Sequence, residues 1–269
     1  MSSACPICSS PLVFHSEVTI LGKHDCSLHI CNFCEWAGFI SPHWLNESYS
    51  SAISAADTGA VQRSLANSEA LSNILISTNL HLGTCLDYGG GCGLLVRLMR
   101  DKGYNFFWHD KYSPNIYAQG FALEHIHNKF DTISLFEVIE HTENPRQVFS
   151  KLISNFSPKL IVFSSELYTP TSFSRNWWYL SLDTGQHISF MTNRTLSHIA
   201  SLLNYTYFQF MGLHCFASDS SMLQNLNPPR ISINRLQFAM QKRRRKSQLQ
   251  SKIFTDYNTI LTKIRSELL

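Results

Sequence analysis

Apolar positions fall into two regimes along the chain. Before Leu80 they are sparse, and Val61, Leu65, Leu71, Ile74 and Leu75 keep a spacing that predicts a helix ending near Thr78. From Leu80 onward, short apolar runs alternate with helix-spaced segments. Thr84–Leu86 reads as a strand ending at Asp87, Leu94–Arg100 as a helix leaving at Gly103, and Asn105–His109 (NFFWH) as a strand ending at Asp110. Phe130–Val138 contains another strand. Asn144 and Pro145 supply a cap and first turn for RQVFSKLISNF, and KLIVFSS (Lys159–Ser165) is a buried-strand run. Thr192 or Asn193 caps a helix through Leu203. Tyr205–Phe210 and Leu213–Ala217 are separated only by Met211 and Gly212, which predicts an antiparallel pair. Beyond Pro228 and Pro229 a helix runs from Ile231 to about Gln241. In a last helix Ile253, Tyr257, Ile260, Leu261, Ile264 and Leu268 share one face.

This order predicts an α/β fold: a Rossmann-like, mostly parallel sheet with a terminal antiparallel strand pair. To it are added a small N-terminal zinc-binding unit and a C-terminal helical tail. The expected boundaries are a zinc-ribbon-like unit over 1–40, a helical linker over 41–79, the main domain over 80–218 and a basic helical extension over 219–269. A chain of 269 residues that is 44% hydrophobic and 15% charged has the length and composition to bury one main core. No stretch of about 18 apolar residues predicts a membrane span. The opening MSSACPICSS has no basic segment followed by an apolar one, so a cytoplasmic location is the default expectation.

The stretch LDYGGGCG (Leu86–Gly93) joins the first strand to the helix that follows it. In an open α/β sheet ligands bind at the carboxyl ends of the strands, and glycines there permit positive φ and close approach to the backbone. A dinucleotide fingerprint needs Gly-x-Gly-x-x-Gly, but the third glycine here comes one residue early. A phosphate loop needs Gly-Lys-Ser/Thr, which is absent. Asp87 disfavours a pyrophosphate and favours a ligand with a cationic end. Asp110, 23 residues on, is placed to accept hydrogen bonds from ribose hydroxyls.

These residues, together with FDTISLFEVIEHTENP (Phe130–Pro145) and WWYLSLDTGQHISFMTNRTLSHIA (Trp177–Ala200), resemble the class I S-adenosylmethionine-dependent methyltransferases, in the subgroup acting on small molecules. The resemblance implies that Asp87, Gly89, Gly91 and Gly93 surround the methionine part of the cofactor. It implies that Asp110 holds the ribose, and that Phe136 and Glu137 border the pocket. One departure is that only 19 residues separate Asp110 from Phe130, where the family fits a helix and a third strand. There is room for a short strand near Tyr117–Phe121, and Phe121 either stacks on the adenine or fills the core.

Methyl transfer is a displacement at a sulfonium, so the protein supplies alignment and, where required, a base. His141, His187 and Glu140 are the candidate catalytic groups. By resemblance to some quinone O-methyltransferases, Glu137, Glu140 and His141 are also candidates to hold a divalent cation. Packing beneath the next helix is the alternative role for His141. Trp177, Trp178 and Tyr179 form an aromatic wall for an apolar or sugar-containing substrate, or plug the sheet edge.

Eight cysteines are unevenly spread, five of them before Glu35. Cys5-x-x-Cys8 and Cys31-x-x-Cys34 are two knuckle-like pairs, the ligand set of a closed structural Zn2+ site. Cys26, His24 and His29 are in reserve. The net charge of +3 conceals a basic tail. From Asp219 to Asp256 no acidic residue intervenes among eight basic ones, five of them consecutive at Lys242–Lys246, a candidate surface for an anionic partner. Together with the zinc unit this keeps an RNA or protein acceptor open as a second reading, and a non-catalytic binding module on the same fold as a third. No Asn/Asp-Pro-Pro-Tyr/Phe tetrapeptide follows the fourth strand, which favours a small-molecule or sugar-containing acceptor methylated at oxygen.

Overall fold

LIVF (Leu160–Phe163) and LHCFA (Leu213–Ala217) bury every residue, so each needs a strand on both sides and cover on both faces. The computed structural model describes residues 4–49, 58–125, 129–169, 173–226 and 232–267 and puts both segments inside a six-stranded sheet. In chain order the strands are β1 (Val13–Ile20), β2 (His24–Ile30), β3 (Ala37–Phe39), β4 (Thr84–Tyr88), β5 (Asn105–His109), β6 (Thr132–Leu135), β7 (Leu160–Phe163), β8 (Ser189–Phe190), β9 (Thr206–Phe210) and β10 (Leu213–Ala217). The helices are α1 (Leu45–Ser48), α2 (Ala60–Ser77), α3 (Leu94–Asp101), α4 (Pro145–Phe156), α5 (Asn193–Leu202), α6 (Ser232–Ser247) and α7 (Ile253–Glu267). Ile231 and Leu268, read above as helical, lie outside the described residues.

The large sheet has the order β5-β4-β6-β7-β10-β9. β5, β4, β6 and β7 are parallel, and β10 runs antiparallel to both β7 and β9. The mostly parallel sheet with a reversed terminal pair is therefore present. The caps also follow the sequence. Asn144 accepts the Gln147 N–H ahead of Pro145 in α4, and Thr192 and Thr195 form a reciprocal capping box on α5.

The expected strand near Tyr117–Phe121 does not form. The polar, proline-containing KYSPNIYAQG has no alternating apolar pattern. Instead the Ile116 and Tyr117 N–H groups turn back to the Cys92 carbonyl, and a single parallel bridge, Trp108 to Ala122, is all that adds to the β5 edge. The C-terminal helix takes up that space. Asp256 of α7, 4% exposed, accepts from Arg100 Nε at 2.8 Å and Arg100 Nη2 at 2.7 Å, with Arg97 Nη2 at 3.0 Å. Burial opposes ionisation of Asp256, but Arg100 and Arg97 hold its carboxyl below the usual range. The Arg100 guanidinium lies 3.6 Å from the centroid of Phe121, which places that ring in the wall between α3 and α7.

The N-terminal residues build a second, four-stranded sheet, β1-β2-β3-β8. Its last strand comes from the connection after β7, so the two sheets are joined through the chain as well as by packing. Cys5, Ile7, Cys31, Cys34 and Trp36 belong to the same apolar cluster as Phe130, Phe149, Phe163 and Leu196 of the large sheet. Among the described residues no helix is long and apolar enough to cross a membrane.

Replacing Asp256 by alanine leaves Arg100 buried without its counter-charge, a defect that typically costs about 3 kcal/mol or more. Urea unfolding of Asp256→Ala is expected to show that loss in midpoint at unchanged slope. A variant as stable as the parent would show that the latch contributes nothing.

Candidate active site and metal centre

β4 ends in the glycine turn, and three of its glycines have positive φ: +75° at Gly89, +53° at Gly91 and +85° at Gly93, the residue that starts α3. A Cβ at Gly89 would stand 2.6 Å from Val138, whereas a Cβ at Gly91 would project into open space. Gly90, which the motif did not single out, is equally constrained: a Cβ there would lie 2.8 Å from Asp87 Oδ2 and 2.9 Å from the Trp108 ring. The open side at Gly91 is thus the cradle that the turn offers to a ligand.

Asp87 and Asp110 converge on this turn. Asp87 is 3% exposed and accepts from Ser134 Oγ at 2.6 Å. Burial pushes its carboxyl up to about 7, opposed by Ser134 and aided by the negative charge of Asp110. Asp110 accepts from the Gly91 N–H at 2.9 Å on one oxygen, and from the Tyr112 and Ser113 N–H groups at 2.7 and 2.8 Å on the other. Trp108 Nε1 donates to the Gly91 carbonyl at 2.8 Å. Asp110 therefore ties the end of β5 to the glycine turn, a role that its position alone did not show.

β6 opens into the second half of the site. Phe136 packs, half-buried, against the cluster behind the sheet. Glu137 has φ +54°, its N–H reaches Ser164 Oγ at 2.9 Å, and Ser164 Oγ donates back to Oε1 at 2.8 Å. Arg63 lies 3.9 Å from Oε2. One 3-10 turn later the chain buries Glu140 completely and brings His141 against His187, with ring centroids 4.9 Å apart. Glu140, His141 and His187 can each offer a ligand atom within 4.8 Å of the others; Glu137 is not in that group.

Hydrogen bonds set the chemistry of the trio. The Tyr179 hydroxyl donates to Glu140 Oε1 at 2.8 Å, while Oε2 is buried with no partner. Burial raises the Glu140 carboxyl to about 7, with the charge of Glu137 adding to the shift and His187 opposing it. His141 Nδ1 is 3.0 Å from the Gln186 carbonyl and 3.0 Å from the Tyr49 hydroxyl, and His187 Nδ1 is 2.7 Å from the Tyr179 carbonyl. A carbonyl accepts only, so Nδ1 carries the proton in both rings and Nε2 is left basic. Burial lowers both imidazoles below their usual value, most directly for His141. Tyr49 carries no motif, and the aromatic pattern that marks Tyr179 does not show its bond to Glu140; only packing reveals both contacts. Of the proposed aromatic wall, Tyr179 faces Glu140, Trp177 packs with Tyr168 and Phe190, and Trp178 is 73% exposed.

The cysteine pairs meet as well. Cys5 and Cys34 sulfurs are 3.5 Å apart, as are Cys8 and Cys31, and all four lie within 4.8 Å. A tetrahedral zinc with bonds of ~2.3 Å spaces its sulfurs about 3.8 Å apart. The Ile7 and Cys34 N–H groups point at Cys5 and Cys31 sulfurs, as suits thiolates. Cys26 is not in this group and bonds to the His24 carbonyl. The residues fit a closed zinc site.

A methyltransferase domain family profile matches residues 61–209, more than half of the chain. No curated protein sequence matches it. Among solved structures, the chain is similar to Burkholderia thailandensis 1,6-didemethyltoxoflavin-N1-methyltransferase, with TM-score 0.47 and 13% identity over 72% of this chain and 96% of that one. It is also similar to magnesium protoporphyrin IX methyltransferase from Synechocystis PCC 6803, with TM-score 0.45 and 14% identity over 65% and 91%. A small RNA methyltransferase, HEN1, overlaps at TM-score 0.40 and 18% identity over 56% and 26%. All three overlaps are partial.

Two measurements check the site. In the unfolded chain a Glu titrates near ~4.3, whereas buried Glu140 titrates at about 7. As pH rises between these values only the unfolded state ionises, so the residue increasingly destabilises the fold, by about 1.4 kcal/mol per unit. Glu140→Gln is therefore expected to match the parent near pH 4.5 and to exceed it in stability by pH 7.5; parallel pH curves would refute the burial argument. Separately, mass-spectrometric metal analysis is expected to find one zinc per chain, lost in a Cys8→Ser/Cys31→Ser variant with a fall in Tm.

Proposed function

The chain belongs to the methyltransferase domain family, enzymes whose methyl donor is S-adenosylmethionine, and from that premise we propose that it methylates a small-molecule or sugar-containing acceptor at an oxygen atom. The observation that carries the acceptor half is the pair of half-buried imidazoles gathered with Glu140, each with Nδ1 bonded to a backbone carbonyl so that Nε2 is the basic atom. An acceptor hydroxyl needs a partner for its proton at neutral pH, and a lowered imidazole is unprotonated there. The electrophile itself is supplied by the donor when bound.

This chain's residues divide the remaining work. Asp87, Gly89, Gly91 and Gly93 hold the methionine end, where a buried carboxylate favours a cationic group. Asp110 accepts from the ribose while fixing the turn, and Phe136 and Glu137 border the pocket. His187 or His141 takes the acceptor proton, and Tyr49 and Tyr179 hold the cluster in place. A second reading of the trio is a divalent-cation site. The unpartnered Glu140 Oε2 and the two Nδ1–carbonyl bonds favour it, since metal-bound histidines are commonly oriented in this way. The four cysteines, as thiolates, hold a structural zinc.

Donor binding is readable by calorimetry without knowing the acceptor. Asp87 titrates at about 7 in the free protein and is wanted ionised in the complex, so affinity is expected to tighten as pH rises from 6 to 8. Asp110→Ala is expected to weaken donor binding at least tenfold, because it also frees the turn, while His187→Gln leaves it within about twofold. No heat with zinc-loaded protein would overturn the enzyme reading. With methyl-labelled donor and a cell extract, label is expected in the small-molecule fraction and to resist nuclease and protease. Label lost to nuclease would move the acceptor to RNA.

A further inference from the structure

Helix α7 is mounted with its polar anchor inward and much of its apolar stripe outward. Asp256 points into the protein against Arg100 and Arg97, and Ile260 lies on Gly120, leaving no room there for a Cβ. These two residues, four apart, define the docked face. On the adjoining side Ile253, Phe254, Tyr257 and Ile264 are 50%, 81%, 62% and 48% exposed. An ordinary surface helix does the reverse, burying its apolar stripe. The latch at Asp256 makes this orientation a property of the fold.

The preceding helix supplies the charge. In α6 Arg243, Arg244 and Lys246 are exposed and Met240 is 62% exposed. Arg245 turns inward to the carbonyls of Ile76 and Ser77 at 2.7 and 3.2 Å, closing the end of α2. Three cations of the run therefore face outward. No acidic residue lies between Asp219 and Asp256, and among the described residues only Lys246 of the three has a carboxylate, that of Glu69, close enough to interact with it. Only five residues separate α6 from α7, which keeps the positive surface near the apolar stripe. A second copy presents the same positive charge, which disfavours self-association through this arm. An anionic lipid surface accepts both features at once: aromatic and aliphatic side chains enter at headgroup depth while arginine and lysine meet phosphates.

We propose that the α6–α7 arm seats this enzyme on an anionic lipid bilayer. It lies on the bilayer and does not span it, and the inference stands apart from the identity of the acceptor. The test is co-sedimentation of the full-length, zinc-loaded protein with vesicles of phosphatidylcholine alone or with added phosphatidylserine. Binding is expected to be on the order of tenfold tighter with phosphatidylserine and to fall at high salt. Phe254→Ser/Tyr257→Ser should abolish most of it, and Arg243→Gln/Arg244→Gln/Lys246→Gln should remove the phosphatidylserine dependence. Both variants should keep the parent Tm and donor affinity, since these side chains are exposed. Equal recovery with both vesicle types, or none with either, overturns the proposal. So does a stable dimer that Phe254→Ser/Tyr257→Ser dissociates, because the stripe would then be a self-association face.

Discussion

Four cysteine sulfurs within 4.8 Å of one another cannot all be thiolates unless a cation sits among them, and much of the acceptor side of this protein hangs from that constraint. The knuckle formed by Cys31 and Cys34 leads straight to Trp36, whose Nε1 donates to Ser189 Oγ at 3.3 Å. Ser189 Oγ in turn donates to the Thr142 carbonyl, and β3 pairs with β8 through Ala37–Phe190 and Gly38–Ser189. Gly38 has no alternative there, since a Cβ would meet the Trp36 ring and the Ile188 carbonyl. β8 begins two residues after His187, and the Ile188 N–H donates to the Glu140 carbonyl. The cysteine cluster, far in sequence from the turn at Glu140, is thus linked through Trp36 and Ser189 to the two histidines and the buried glutamate. With zinc in place, as proposed, its work would be structural and its effect would fall on the positions of Glu140, His141 and His187.

The donor side has its own brace. α3 begins at the glycine turn and carries Arg97 and Arg100 on its last turns, so the Asp256 latch anchors the C-terminal arm to the helix that leaves that turn. The loop from 111 to 122 is held between them, bonded to Cys92 at one end and stacked under Arg100 at the other. The missing third strand is replaced in part: β5 stays an edge strand, bridged at Trp108–Ala122, with Phe121 beside it under Arg100. Long charged side chains serve here as packing as much as charge.

What was legible in the sequence follows from how local each signal is. Asp87 with its glycines, the cap at Asn144, and the all-apolar β7 and β10 depend on neighbours a few residues away, and periodicity captured them. The four thiols were readable because zinc imposes a spacing that few other functions share. The bond of Tyr49 to His141 was not, since 92 residues separate them, and Tyr179 was legible as an aromatic of the wall but not as the partner of Glu140. The dual role of Asp110 was hidden for the same reason, as its bond to Gly91 is a long-range contact. The inward turn of Arg245 was masked by four like neighbours in a run that reads as uniformly solvated.

The burial of Glu140 gives the trio a coherent proton logic. With its carboxyl at about 7 and both imidazoles lowered, the cluster rests near neutrality, as a dry site requires. In the proposed reaction the ionised form of Glu140 is the one that assists: an imidazole that takes the proton of an acceptor hydroxyl then meets a carboxylate already in place as its counter-charge. The histidine is therefore a weak base at rest and a stronger one once Glu140 ionises. Its effective strength belongs to the pair, not to either residue. Removing Glu140 would leave the geometry of the rings to Gln186 and Tyr179 while depriving the imidazolium of its counter-charge. Under the proposed function the glutamate consequently matters most at the moment of proton transfer and least to binding of the donor.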